Sequence, residues 1–397
     1  MSKEAGAYSF AEISSQPIVW NQTVATFQQR AAAFQSFYAS QPFDRVIFTG
    51  CGSTYYLAQV GAALFQQLIG INACAYPASE IALLPDYVFA PGGHPLLIAV
   101  SRSGETTETL SAVRVFRERT HSAVAVVTCY PASRLAAAAD FAVLIPEAQE
   151  QSVAQTRSFA SMLIVVQAMA ALLSGREDLA DLAHLGDSAQ TLIANYGDLA
   201  RTLGMDRRIE RFFFLGSGAL RGIASEAMLK MKEMSLSYSE AFHVLEFRHG
   251  PMSMVNDHSL VVGLLSEEAY AQEVAVLNEM AGRGAQVLAL GVRDEPTGLD
   301  RAVQIVRLSA TLPRSARPVT YLPVLQLLAY YRAPRMDKTG STSEFVVCYF
   351  AGSINVVIVV HVCMSWAWRC GRISFALLRR EIARRRLYSS PCWRACS

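Results

Sequence analysis

The sequence predicts an α/β fold made of two consecutive units, each a parallel sheet flanked by helices. Three observations carry this. Apolar runs of strand length alternate with amphipathic stretches of helix length, the pattern of βαβ units. Two glycine-rich corners, Gly50-Cys51-Gly52-Ser53 and Gly216-Ser217-Gly218, each end a strand and open a helix, about 165 residues apart. The segments around the corners repeat one plan, as an internal duplication would.

Each element has its own local reason. Residues 16–39 read as a helix. Arg45–Thr49 is a short apolar strand, and the Gly50 corner turns it into a helix reaching about Ile69. Ala73–Tyr76 is a strand, followed by a weak helix at Ser79–Pro85. Leu96–Val100 is an apolar run that stops at a hydroxyl-rich turn, and Thr106–Arg119 continues as a helix. Ala123–Thr128 and Phe141–Ile145 are further strands, and residues 156–174 and about 177–203 have helical length and periodicity. The second unit repeats this plan: strand Arg211–Leu215, helix Ala219–Leu236, strand Ser259–Leu265, helix 268–283, strands Gln286–Leu290 and Val303–Leu308, helix Val319–Arg332. The expected organisation is 1–195 for the N-terminal helix and first unit, 196–333 for the second, and 334–397 for an atypical tail.

Composition narrows the function. The chain of 397 residues is 52% apolar, 17% charged and has a formal charge of +2, which excludes nucleic acid as a partner of the body. Residues 1–11 lack a basic start followed by an apolar core, so no signal peptide is expected and a cytoplasmic location is. Cys51, Cys74 and Cys129 suit buried thiols in a reducing compartment. The tail differs. Residues 345–368 carry no Asp, Glu, Lys or Arg, and eight arginines follow by residue 394. Cysteine and tryptophan also crowd there, as in a sequence read out of frame. A membrane span and a packed extension are the other readings, and a membrane partner follows only if 345–368 is a genuine span.

The turn Ser101-Arg102-Ser103-Gly104-Glu105-Thr106 collects hydroxyls, backbone amides and the positive end of a helix, which are the parts of a phosphate cradle. It has no Gly-Lys-Ser/Thr and so is not a nucleotide P-loop. Helix capping alone would explain one hydroxyl per helix, not this cluster.

Three motifs in order, Gly50-Cys51-Gly52-Ser53-Thr54-Tyr55, Ser101 to Thr106, and Glu226-Ala227-Met228-Leu229-Lys230-Met231-Lys232-Glu233 continuing to Arg248-His249-Gly250-Pro251, resemble those of the sugar isomerase (SIS) domain family. The resemblance covers roughly residues 20–332. It is nearest to the isomerase half of glucosamine-6-phosphate synthase and its free-standing deaminase and isomerase relatives. It implies a flavodoxin- or Rossmann-like sheet in each unit. It also implies a sugar phosphate held by Ser53, Thr54, Ser101, Ser103 and Thr106. Arg102 stands where the family commonly has Gln and is expected to add a phosphate or carboxylate contact of its own. Val153-Ala154-Gln155-Thr156-Arg157 replaces the usual Val-Ala-Ser-Thr-Lys, so Val153, Gln155 and the preceding Glu150 are expected at specificity positions. By the same resemblance Glu233 is the proton-transfer base, Lys230 sits beside it, and His249 opens the sugar ring, usually reached from the other subunit of a homodimer with a shared active site.

A single carboxylate can move a proton between adjacent carbons through an enediol if it is held close and partly desolvated. A surface Lys–Glu pair three residues apart is the plainer alternative. The expected activity is therefore a phospho-sugar aldose–ketose isomerase, with deamination as an option, acting on an amino-sugar or fructosamine phosphate. A non-catalytic sugar-phosphate sensor is the alternative. No metal and no cofactor are expected. No N-terminal cysteine-initiated glutaminase domain is recognised, so glutamine-dependent amination is not expected, nor is the family's C-terminal lysine segment recognised after Arg332.

Overall fold

The computed structural model describes residues 6–89, 92–177, 179–292 and 297–333, and two short strands, Cys348–Tyr349 and Ile358–Val359, paired antiparallel. The chain divides after Ala333, and what precedes it packs as one unit. The expectations for 345–368 otherwise lie outside the described residues.

Two helices, α1 (Ala7–Ser14) and α2 (Gln16–Ala39), precede the first sheet. Then come β1 (Arg45–Gly50), α3 (Ser53–Leu64, continued by a π turn to Ile69), β2 (Asn72–Pro77), α4 (Ala78–Leu83), α5 (Pro85–Val88) and β3 (Pro95–Val100). The unit ends with α6 (Thr107–Thr120), β4 (Val124–Thr128), α7 (Arg134–Ala137) and β5 (Phe141–Leu144). Helices α8 (Arg157–Ser174) and α9 (Leu185–Met205) lead to the second unit. It contains β6 (Arg211–Leu215), α10 (Leu220–Ser235), β7 (Tyr238–Phe242), β8 (Ser259–Leu264), α11 (Tyr270–Gly282), β9 (Gln286–Gly291) and β10 (Gln304–Arg307). Helices α12 (Arg317–Thr320) and α13 (Leu322–Arg332) close it.

Each unit is a five-stranded parallel sheet. The strand orders, β2-β1-β3-β4-β5 and β7-β6-β8-β9-β10, are the same order used twice. The inner strands β1, β3, β4, β6, β8 and β9, covered on both faces, are buried at nearly every position, which is why they read as unbroken apolar runs. Alternate residues still divide between layers. Val46 and Phe48 of β1 and Phe212 and Phe214 of β6 enter one core shared by both sheets, while Ile47 and Phe213 face outer cores. The shared core is completed by α8, whose side chains from Ser158 to Ala171 are all buried. Among the described residues it is the one helix long and apolar enough to cross a membrane, and 78% of it is buried within the protein.

Several elements differ from the sequence reading, the short helix α7 among them. Helix α1 is too short for helical periodicity to register. Strand β7 reads Tyr-Ser-Glu-Ala-Phe, half polar because it lies at the sheet edge. The last predicted helix, Val319–Arg332, is two, α12 and α13, divided at Tyr321.

The two units meet where α3 crosses α10. A Cβ on Gly222 would lie 2.5 Å from the Tyr56 carbonyl and 2.6 Å from Val60, so only glycine permits this approach. Leu229 of α10 reaches Gly52 at the mouth of the first corner. The crossing therefore sets a face of the second unit against the loops of the first.

Candidate functional site

In an open parallel sheet, ligands bind beyond the carboxyl ends of the strands where the chain switches direction. In the first unit these ends are the β1–α3 and β3–α6 corners. Thr106 precedes α6 without a side-chain cap, and Gly52 precedes α3 likewise, so neither helix start is capped by the clustered hydroxyls. The hydroxyls shape the loops instead. Ser101 Oγ accepts from the Gly104 amide at 3.1 Å and lies 3.2 Å from Thr106 Oγ1; Ser103 Oγ accepts from the Glu105 amide at 3.2 Å. Gly104 has φ +64° and sits so near Ser133 that a Cβ would lie 2.1 Å from its hydroxyl oxygen. Glu105 is tied to Arg134, whose amide and guanidinium it accepts at 2.7 and 2.5 Å. Cys51 Sγ, 3.5 Å from Thr109 Oγ1, joins the two corners.

Two of the candidate binding side chains, Thr54 and Arg102, make hydrogen bonds within the protein. The Thr54 hydroxyl closes its own turn, donating to the Cys51 carbonyl and accepting from the Cys51 amide, both at 2.9 Å. Arg102 donates to the carbonyls of Ser152 and Val153 at 3.0 and 3.1 Å and lies 3.7 Å from Glu150. Val153 meets the site only through that carbonyl, since its side chain points outward and the residue is 92% exposed. Gln155 keeps a buried side-chain oxygen without a hydrogen-bond partner. Glu150 is structural: its carboxylate accepts from the Thr156 amide and hydroxyl at 2.8 and 2.7 Å and from the Ser158 hydroxyl, which fixes the start of α8.

Helix α10 packs against the β1–α3 corner, with Leu229 at Gly52 and Glu226 beside Ser53. Spacings of four and three residues put Glu226, Lys230 and Glu233 on one helical face. Lys230 is fully buried, with its ammonium 3.4 Å from Glu226 Oε1 and in close contact with Glu233. Burial alone would lower the lysine, but the two carboxylates outweigh it and hold the ammonium above its ordinary value. Glu226 is also fully buried. Burial pushes it up to about 8 against the pull of Lys230, and neither of its oxygens has a hydrogen bond of good geometry, although the Ser53 hydroxyl faces it. Glu233 stands at the exposed edge with its side chain 39% accessible. The surface-pair alternative is thereby removed: the lysine is buried between the carboxyl groups of Glu226 and Glu233.

The motif that holds Glu226 was visible in the sequence, but no role was expected of it, because its burial depends on α3 packing across α10. His249 lies on an exposed turn after β7, its amide donating to the Glu246 carbonyl at 3.0 Å. No hydrogen bond or ion pair among the described residues joins it to the α10 cluster. Among the described residues no group of three His, Cys, Asp or Glu is placed to hold a metal ion.

The equivalent corner of the second unit encloses a cavity of about 300 Å³ lined by Ser217, Ser266 and the Tyr321 ring. Its β8 loop carries Glu267 and Glu268, paired to Arg317 and Arg314. The duplication has diverged, with the hydroxyl cradle in one copy and the titratable helix face in the other.

The SIS domain family profile matches residues 41–172 and 207–301, and the chain belongs to this family. The glutamine–fructose-6-phosphate aminotransferase (isomerizing) of Symbiobacterium thermophilum is 30% identical over 303 residues, 73% of this chain and 48% of that protein. The Pyrococcus horikoshii protein of the same name is 28% identical over 301 residues, 73% of this chain and 49% of its own. The chain thus spans about half the length of these relatives. Among solved structures, glucosamine-6-phosphate deaminase from Thermotoga maritima superposes with a TM-score of 0.67 at 26% identity, covering 82% of this chain and 94% of that one. Tagatose-6-phosphate ketose/aldose isomerase from Escherichia coli shares the fold, with a TM-score of 0.74 at 24% identity over 82% of this chain and 92% of that one.

Proposed function

We propose that the chain is a phospho-sugar aldose–ketose isomerase acting on an amino-sugar or fructosamine phosphate, with amine release as its deaminating form. One observation carries this reading: a row of Glu226, Lys230 and Glu233, the first two buried, lies beside the Ser53 corner at the carboxyl edge of a parallel sheet, and Cys51 of that corner reaches Thr109 behind the hydroxyl-rich loop. The relatives' names supply the substrate class, since each names a hexose 6-phosphate or its amine.

Ser101, Ser103 and Thr106, with the uncapped start of α6, hold the phosphate, because a dianion gains most from several fixed donors. Ser53 lies between this cradle and Glu226. Glu233, exposed enough to meet the sugar, takes the proton from the carbon beside the carbonyl and returns it to the neighbouring carbon. Lys230 stabilises the enediolate charge. Glu226, kept protonated by burial up to about pH 8, is the acid of the pair, following the rule that environments separate the roles of neighbouring carboxyls. His249 passes a proton to the ring oxygen in a homodimer, acting from the partner copy. The protein works in the cytoplasm.

The test is proton NMR in heavy water with fructose 6-phosphate and, separately, glucosamine 6-phosphate. Deuterium entering at C1 or C2, and lost in Glu233→Gln, supports the enolising enzyme; new product signals separate isomerase from deaminase. Line broadening on binding without any exchange refutes it in favour of a sensor.

A further inference from the structure

Residues 150–155 form an irregular strap between the phosphate loop and the start of α8, so the polar backbone groups of the strap need partners from elsewhere. One set comes from the phosphate loop, where Arg102 grips the Ser152 and Val153 carbonyls. The other comes from the far end of the sequence. Glu12 of α1 accepts from the Gln151 amide at 2.6 Å, and from the Ser152 amide at 3.2 Å on one oxygen and 3.3 Å on the other. Ser9 Oγ adds a contact to Ser152 Oγ at 2.9 Å. The Ser152 residue is thus held by its amide from α1 and by its carbonyl from the phosphate loop.

We infer that Glu12 is a positioning residue of the sugar-phosphate site, holding the 150–155 strap from behind so that Arg102 and Gln155 keep their places at its front. The inference rests on the proposed sugar-phosphate reading of the site. Three further observations support it. Glu12 is 4% exposed, so its carboxylate is directed inward at the strap rather than solvated. Its helix is fixed to the body: Ile13 is fully buried in the shared core, and the Phe10 ring lies 5.2 Å from that of Tyr330 on α13. The charges around the strap alternate, with Arg102 at 3.7 Å from Glu150 in front and Arg157 donating to Ser15 Oγ at 3.0 Å behind. Glu12 touches no reacting atom; it acts through the strap, and its loss should weaken substrate binding more than the proton transfer.

The experiment uses the full chain and the variants Glu12→Ala and Glu12→Gln. In Glu12→Ala the Gln151 and Ser152 amides should exchange with heavy water about 10-fold faster or more, the scale of losing a charge-assisted hydrogen bond. Exchange in α9 and α13 should stay unchanged. Glu12→Gln keeps one acceptor oxygen and should fall between the two; it also carries the test if the alanine variant does not fold. With fructose 6-phosphate, KM for deuterium incorporation should rise about 10-fold while kcat stays within about twofold. Equal strap protection in all three proteins, or a fall in kcat at constant KM, would overturn the inference. If the wild-type protein shows no turnover, the functional reading fails, and amide exchange alone still decides whether Glu12 clamps the strap.

Discussion

Replacing Glu226 by Gln tests the α10 cluster without any substrate. The carboxyl is fully buried, and burial raises it from its usual 4.5 to about 8. Below 4.5 both the folded and the unfolded chain hold the proton. Between these values only the folded chain does, so unfolding releases it and stability falls as the pH rises. Above about 8 both states are ionised and the loss is complete. At about 1.4 kcal/mol per pH unit, the interval from 4.5 to about 8 allows a loss of up to about 5 kcal/mol, an upper bound because Lys230 lies close by. The Gln side chain has nearly the same shape and no proton to lose. Urea unfolding of both proteins from pH 5 to pH 9 should show the wild type losing stability relative to Glu226→Gln by at least about 2 kcal/mol between pH 5 and 8. Parallel curves would mean that Glu226 is ionised throughout, and the assignment of Glu226 as the acid beside Glu233 would then be wrong.

Other consequences are as direct. Glu233→Gln should reduce deuterium incorporation into fructose 6-phosphate by about 10²- to 10⁴-fold with little change in KM, measured by NMR. Gly104→Ala forces a left-handed backbone angle on a residue whose Cβ meets Ser133; it should cost about 1–3 kcal/mol in urea unfolding and weaken inorganic phosphate binding by calorimetry. Gly222→Ala should cost about 1–3 kcal/mol by pushing α3 from α10, and the same unfolding assay reads it. His249→Asn should slow exchange on ring-forming sugar phosphates while sparing an open-chain ketose phosphate, and equal slowing of both would remove it from ring opening.

Much of the fold was legible because its causes are local. A buried parallel strand is an apolar run, and the turn after it needs glycine where the chain must bend tightly, so the Gly50 and Gly216 corners stand out in the sequence. Strand β7 and helix α1 did not stand out, one because an edge strand tolerates polar residues and the other because eight residues are too few for a period. The phosphate loop was legible as a cluster of hydroxyls, but the use of each hydroxyl was not. Thr54 and Ser103 have the same chemistry, and only the conformation of each turn decides that Thr54 both accepts from and donates to Cys51 while Ser103 only accepts, from the Glu105 amide.

The sequence alone determined the two tandem α/β units, the hydroxyl cradle and the Lys230–Glu233 pair, because periodicity, turn chemistry and helical spacing act over a few residues. The tertiary structure alone decided that Glu226 is buried beside Lys230, that Arg102 donates to the Ser152 and Val153 carbonyls, and that Glu12 of α1 accepts from the Gln151 and Ser152 amides. The physical reason is desolvation. Whether a charge faces water, a partner or an apolar wall depends on segments far apart in the chain, and no local pattern records it.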